Sequence, residues 1–183
     1  EKIDASYLSP HVNIASRLEA CTKQYGVSIL ISQHLHSLLP DDIKPLCRLV
    51  DRVTLKGSLV PMFLYTYDVP EVLADDPREK WQVRGVHVTS AEMELETFFF
   101  MAAPPAVSAE FRELWERTLK LYLGGPDGAT ADWPQAADLA RKCLQMKAQD
   151  GPALTLLEVL TTECGECGAA PADWAGYRSL KEK

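Results

Sequence analysis

Three polar side chains in the first third of the sequence have the chemistry to bind an anion. Asn13 and Arg17 are four residues apart, so a helix places an amide donor and a permanent cation on one face, with no carboxylate there to neutralise them. Lys56 precedes Gly57 at a predicted turn between two strands. Positioned donors and cations stabilise the charge that develops on a phosphoryl group during transfer. Taken singly, each is also typical of a solvated helix face or an exposed hairpin tip.

The elements that must hold these residues follow an α+β pattern, which we interpret as the second half of a domain. The pattern predicts a strand over 3–8, a helix over 11–25, a strand over 27–31, a helix over 33–39, and a hairpin of strands over 47–55 and 60–69. The first helix stops at Gly26, and Ser32 caps the second. The apolar residues expected on the buried face of the first helix are Val12, Ile14, Ala15 and Leu18, with Cys21 at its edge.

The second half of the sequence changes to helical periodicity after a linker. Residues 70–105 carry linker signals with an uncertain strand and helix, and the range 1–69 before them is the predicted sheet-bearing domain. Residues 106–183 are predicted to form a helical extension, in which Asp132 and Asp150 cap the second and third helices. The extension resembles one tetratricopeptide-type hairpin with a capping helix. Because a single such unit cannot bury its apolar face, we expect it to pack on the preceding domain or on a partner.

The composition narrows the class of partner and the compartment. The 183 residues carry a formal net charge of −7, and residues 1–68 contain seven basic and seven acidic side chains, so the acidic excess lies in the remainder. This excess argues against nucleic acid and against an anionic membrane surface as the main partner. Five cysteines, an odd number, do not indicate a disulfide framework, and we expect a reducing cytoplasmic compartment.

Two further features of the sequence lead to simple expectations. Cys164 and Cys167 have the spacing of half a zinc site but no second pair, so we expect free thiols in a loop. No apolar run has the length of a membrane span, which predicts no direct membrane insertion by this segment. The sequence begins in strand-like residues without a methionine, and we interpret it as a fragment of a longer protein.

Three separated motifs carry a resemblance to a known enzyme family. They are Asn13–Glu19, Thr22–Val27 and Asp51–Gly57, and in this order they resemble the C-terminal half of the catalytic domain of class III adenylyl and guanylyl cyclases. The resemblance covers about residues 3–68, and the stretch Ile3–Pro10 is similar to the cyclases of protists and green algae. It implies the second half of a ferredoxin-like domain, and the helical extension also resembles the segment on the C-terminal side of that domain in those proteins.

The resemblance implies a reaction and a role for each matching residue. The family converts a nucleoside triphosphate into a 3′,5′-cyclic nucleotide and pyrophosphate, for intracellular signalling. By this resemblance Asn13 orients the ribose, Arg17 holds the α-phosphate and Lys56 holds the outer phosphates. The family position for base recognition falls on Ser6, and Asp4 on the same strand face is an alternative acceptor. We favour ATP over GTP as the substrate.

The resemblance also implies parts that this chain does not contain. The family binds Mg²⁺ or Mn²⁺ through two aspartates, which are expected upstream of residue 1, and none of the metal ligands falls in this chain. The active site forms between two cyclase domains, identical or different, so we expect this segment to be inactive alone. The expected location is the cytoplasm, either as a cytosolic protein or as the cytosolic part of a membrane-anchored or ciliary one. The alternative interpretation is a non-catalytic scaffold or docking subunit derived from a cyclase.

Overall fold

The computed structural model describes residues 10–55, 60–68 and 107–180, and this part of the chain is a mixed α+β structure. It contains five α-helices and a four-stranded sheet, so the predicted α+β class is confirmed at this level. In chain order the elements are α1 (Pro10–Tyr25), β1 (Ile31–Ser32), α2 (Gln33–Leu38), β2 (Cys47–Leu55), β3 (Met62–Tyr67), α3 (Ala109–Leu123), α4 (Trp133–Met146), α5 (Gly151–Thr162) and β4 (Arg178–Leu180). Two short 3₁₀ turns cover Lys44–Leu46 and Glu166–Gly168.

The sheet joins strands from both halves of the sequence in the order β1-β3-β2-β4. β2 and β3 form the predicted antiparallel hairpin, and β4 pairs with β2 in parallel, with Val53 opposite Arg178. The register of β2 shifts between Leu49 and Asp51, which is the signature of a bulge. Because Arg48 lies opposite Thr66 and Asp51 opposite Leu64, the shift brings both charged side chains to the same face of the sheet.

The helices α3–α5 follow the predicted periodicity and caps. The side chain of Asp132 accepts a hydrogen bond from the backbone N–H of Gln135 at 3.0 Å, and Asp150 accepts one from Ala153 at 3.1 Å. The most deeply buried side chains of these helices are Trp115, Thr118, Leu119, Tyr122, Trp133, Ala136, Ala140, Cys143 and Ala153. Trp115 and Trp133 therefore belong to the core of the helical region, whereas Trp174, between α5 and β4, is half-buried.

The α1–β1 region differs from its prediction in two respects. The strand expected over 27–31 is reduced to Ile31–Ser32, because β1 has register partners only at Tyr65 and Leu64 of β3. On α1, Leu18 is buried as predicted, whereas Val12 is 48% exposed and Ala15 is also exposed. The face of α1 that reaches the core is therefore narrower than its apolar pattern suggests.

The described residues up to Tyr67 and those from Ala109 onward form a first compact unit by their contacts. Within the first unit, α3 contacts β2 and α5 contacts α1, so the helical region packs on the sheet-bearing region. The strand predicted over 3–8 and most of the linker predicted over 70–105 lie outside the described residues. The predicted boundaries 1–69, 70–105 and 106–183 stay predictions.

Candidate functional site

The predicted pair of site residues lies on the longest helix of the structure that is described, α1. Asn13 is exposed and Arg17, one turn later, is half-buried, with its Nη1 atom shielded from solvent. The next residue, Leu18, is buried against the sheet, which fixes the side of the helix that faces the core. The structure therefore brings an accessible amide and a partly shielded guanidinium together on one helix.

The remaining predicted site residues lie outside the described part of the chain. Ser6 and Asp4 precede residue 10, and Lys56 falls between Leu55, the last residue of β2, and Met62, the first residue of β3. The antiparallel pairing of β2 with β3 confirms the hairpin in which Lys56 was predicted. That Ser6, Asp4 and Lys56 lie close to Asn13 and Arg17 stays a prediction.

An open groove of about 910 Å³ runs beside α1. Its walls come from α1, from the segment before β1, from α2 and from the start of β3, and they are mainly aliphatic. Several apolar side chains of this surface are exposed to solvent. Those that line the groove are Ile29, Leu35 and Val60, and the lining also includes the half-buried Ile14 and Met62 and the buried Leu18 and Leu30.

The C-terminal end of α1 is held by a buried network that sequence reasoning missed. Tyr25 is the last residue of α1, and its hydroxyl donates to Asp51 Oδ2 at 2.7 Å. Arg178 of β4 donates to the same oxygen through Nε at 2.9 Å and Nη2 at 2.7 Å, and Nη2 also donates to the Tyr25 hydroxyl at 2.9 Å. The other oxygen, Oδ1, accepts the backbone N–H of Arg52 at 2.7 Å. Helix, central strand and C-terminal strand thus meet at one carboxylate.

Burial and charge raise the pKa values of two members of this network. Burial, followed by the nearby Asp51 carboxylate, raises the pKa of Tyr25 well above its ordinary value of 10.0. For Arg178, burial alone would lower the pKa, but the attraction of Asp51 and the neighbouring tyrosines outweighs it, so the pKa is raised. Arg178 therefore stays charged and Tyr25 stays neutral across the physiological range.

A second buried ion pair connects β2 to the start of α5. Arg48 donates to Asp150 through Nη2 to Oδ1 at 2.8 Å and through Nη1 to Oδ2 at 3.1 Å, a two-point contact between side chains that are 3% and 2% exposed. The guanidinium also lies 5.3 Å from the ring centre of Phe111 and 5.5 Å from that of Trp115 on α3. Because Asp150 also caps α5, one carboxylate serves both the helix and the sheet.

The ends of α1 and α5 touch through their backbones. Gly26, with a φ of +59°, ends α1, and a Cβ added to Gly151 would lie 2.2 Å from the carbonyl oxygen of Tyr25. Thr155 Oγ1 donates to the carbonyl oxygen of Gln24 at 2.8 Å. Two glycines therefore permit a close approach that fixes the C-terminal end of α1 against the helical region.

One sequence signal could have pointed to these ion pairs. Arg48 and Asp51 lie in a nine-residue strand that is otherwise mostly apolar or buried, where a charge requires a partner. The partners themselves, Asp150 and Arg178, are 102 and 127 residues away, so the sequence gives no means of choosing them.

Two further groups make no hydrogen bond to these networks among the described residues. The hydroxyl of Tyr122 is buried and has no hydrogen-bond partner among the described residues. Its pKa is raised well above 10.0, mainly by burial.

Cys164 is a free thiol, as predicted, whereas the side chain of Cys167 is not among the described ones. In the described ranges no group of three His, Cys, Asp or Glu side chains is placed to hold a metal ion.

Comparison with known proteins does not identify a family for this chain. Searches with protein-family models, curated proteins and solved structures found no match to this chain. None of the described helices combines the length and the apolar character required to cross a bilayer. The site must therefore be interpreted from its own residues and geometry.

Proposed function

We propose that this chain is the C-terminal half of a class III nucleotidyl cyclase domain with a helical extension. The observation that carries the proposal is the position of Asn13 and Arg17 on α1, since the amide is exposed and the guanidinium is one turn away at the edge of the core. The order α1, β1, α2 and the β2–β3 hairpin supports a ferredoxin-like half-domain. The packing of α4 against both α3 and α5 supports the tetratricopeptide-like extension, and we propose a cytoplasmic location.

The chemistry of the two residues fits attack of the ribose 3′-oxygen on the α-phosphorus. In this proposal the Asn13 amide orients the ribose, and the Arg17 guanidinium binds the α-phosphoryl oxygens as negative charge increases there. A partly shielded cation is more effective in this role than a solvated one, because water screens it less. Lys56 would bind the leaving pyrophosphate, and Ser6 or Asp4 would contact the base, with ATP favoured over GTP.

In this proposal, metal binding belongs to a different domain from the one that contains Asn13 and Arg17. By the resemblance, two aspartates upstream of residue 1 would bind Mg²⁺ or Mn²⁺. We propose that a second cyclase domain, identical or different, supplies the metal ligands. The proposed role of this chain is limited to orienting the substrate and stabilising charge.

The test is a pair of substitutions on α1 in the full natural polypeptide. Arg17→Ala should lower formation of cyclic nucleotide by about 10²–10³-fold, as expected for loss of one group that stabilises the transition state. Binding of a fluorescent triphosphate analogue should change much less, because the outer phosphates retain their contacts. Lys23→Ala is the matched control, since Lys23 is an exposed cation of the same helix, and it should leave turnover unchanged. Unchanged turnover in Arg17→Ala would exclude the proposed catalytic role.

The exposed apolar groove supports a second candidate function, that of a docking subunit without catalysis. Ile29, Leu35 and Val60 are exposed on one surface, and contiguous exposed apolar surface often marks a protein contact. The two functions differ in one measurement. A docking subunit would form complexes that Leu35→Glu disrupts, while the natural polypeptide would make no cyclic nucleotide under any metal or nucleotide condition.

A further inference from the structure

We propose that Arg178, Asp51 and Tyr25 are positioning residues for α1, through which the C-terminal strand β4 sets the placement of Asn13 and Arg17. This inference rests on the proposed function of α1. It adds a role for the helical extension that the resemblance does not assign, namely completion of the nucleotide site. The contact chain, the geometry of α1 and the additional anchor at α5 each support it.

The contact chain joins three elements at one atom. Asp51 Oδ2 accepts the Tyr25 hydroxyl and two N–H groups of Arg178, at 2.7 to 2.9 Å. All three side chains are buried, so water does not offer alternative partners. A change in the position of β4 must therefore be accommodated by Tyr25 or by the loss of buried hydrogen bonds.

The geometry of α1 converts a small change at Tyr25 into a larger one at Asn13. The two residues are in one uninterrupted helix, so at 1.5 Å per residue Asn13 lies about 18 Å from Tyr25 along the axis. A tilt of about 10° at Tyr25 would move Asn13 by about 3 Å over this length. Misplacement of a reacting group by about 1 Å can cost about 10²-fold in rate.

The first half of α1 has few contacts that would resist such a tilt. Asn13, Ala15 and Ser16 are exposed and Arg17 is half-buried, and among the described side chains of α1 only Leu18 and Tyr25 are buried. Ile14 only packs at the edge of the core. The orientation of α1 therefore depends strongly on its C-terminal end.

A second anchor of the same end comes from α5. Gly151 packs against the backbone of Tyr25 and Gly26, and Asp150, the cap of α5, pairs with Arg48 of β2. Two parts of the helical extension, α5 and β4, thus hold the end of α1. The extension accordingly acts as part of the catalytic unit.

The experiment uses Arg178→Gln in the full natural polypeptide, with Arg141→Gln as the matched control. Arg141 is an exposed residue of α4 that pairs only with Asp138 three residues earlier among the described side chains, so it reports the loss of a positive charge without contact to α1. Arg178→Gln should lower kcat by about 10–100-fold with little change in KM, because the displaced groups act in the transition state. Arg178→Lys should restore part of the loss, and Arg141→Gln should retain the parent kcat.

A double variant separates positioning from simple loss of folded protein. If Arg178 acts through Asn13 and Arg17, the substitution Arg178→Gln should have little further effect on kcat in the Asn13→Ala/Arg17→Ala background. Loss of folded protein would instead multiply the two effects, and that result would overturn the inference. Tyr25→Phe, which removes only one hydroxyl, provides the same test if Arg178→Gln does not fold.

A structural readout keeps this inference separate from the proposed function. Crystal structures of the parent polypeptide and of Tyr25→Phe should differ in the angle between α1 and the sheet. An unchanged angle would refute the positioning role whatever the activity. If the angle changes but the parent makes no cyclic nucleotide, the proposed function fails while the control of α1 by β4 stands.

Discussion

The helical region α3–α5 and the α1–α2 side of the sheet differ in how completely they bury their apolar side chains. Trp115, Trp133 and Leu119 are at most 1% exposed, whereas Leu35, Leu38 and Val60 are 51%, 69% and 73% exposed. In addition, α2 has no buried residue. The helical region thus buries most of its large apolar side chains, with Met146 and Leu154 exposed at 43% and 44%, while the α1–α2 side has a larger exposed apolar surface.

The largest expected effect comes from the buried Arg48–Asp150 ion pair, which joins the two regions, and it tests how much this pair adds to the free energy of unfolding. Asp150→Ala leaves the Arg48 charge buried without its carboxylate and removes the cap of α5, so we expect a loss of about 3–5 kcal/mol in the free energy of unfolding. Urea titration followed by tryptophan fluorescence measures it. Asp138→Ala, which breaks an exposed pair on α4, should cost about 0–1 kcal/mol. Equal effects would mean that the buried pair does not couple the regions.

Truncation of one leucine in each region tests the difference in burial directly. Leu119→Ala removes a side chain that is 1% exposed in the centre of α3, and it should cost about 2–5 kcal/mol. Leu38→Ala on α2 should change stability by about 0.5 kcal/mol or less, because the side chain is already in water. A large loss from Leu38→Ala would show that another chain or segment covers this surface in solution.

Alkaline pH should weaken the contact between the regions through its buried tyrosines. The pKa values of Tyr25 and Tyr122 are raised in the folded state above 10.0, so the unfolded chain loses these protons first. Their stabilisation is complete below pH 10 and declines above it, by about 1.4 kcal/mol per pH unit for each tyrosine. Urea titrations between pH 9 and 11 measure the slope. The Tyr25→Phe/Tyr122→Phe variant should lack this contribution, and an unaltered slope would contradict it.

The last comparison concerns the same two tyrosines at neutral pH. Tyr25→Phe removes a hydroxyl that bonds to two charged groups, and we expect a loss of about 1.5–3 kcal/mol. Tyr122→Phe removes a buried hydroxyl with no partner among the described residues, so stability should stay constant or increase by about 1 kcal/mol. Thermal unfolding monitored by circular dichroism measures both. A comparable loss from Tyr122→Phe would indicate an internal water bound to its hydroxyl.

The sequence predicts the local features of this fold well. The caps at Asp132 and Asp150 and the bounds of β2 follow from residue types and periodicity, since these signals act over a few residues. The strand expected over 27–31 is mostly absent because a strand requires a partner, and β3 pairs only with Ile31 of that stretch and with Ser32 after it.

The long-range features could not be predicted in the same way. β4 has three residues and no distinctive alternation, and its place beside β2 depends on partners more than a hundred residues away. For the candidate site, the sequence identifies Asn13 and Arg17 and their common helix. It does not show that the C-terminal end of this helix is fixed by Arg178, because that contact exists only after the chain has folded.

The parallel pairing of β4 with β2 also has a consequence for synthesis on the ribosome. Asp51 and Arg178 are 127 residues apart, which corresponds to about 6–25 s of translation at typical rates. During that interval β2 has neither its neighbour β4 nor the counter-charges of Arg48 and Asp51. Folding of the sheet is therefore completed only after translation of the helical extension. Until then, the edge of β2 that β4 later occupies has unpaired backbone N–H and C=O groups with which another chain can pair.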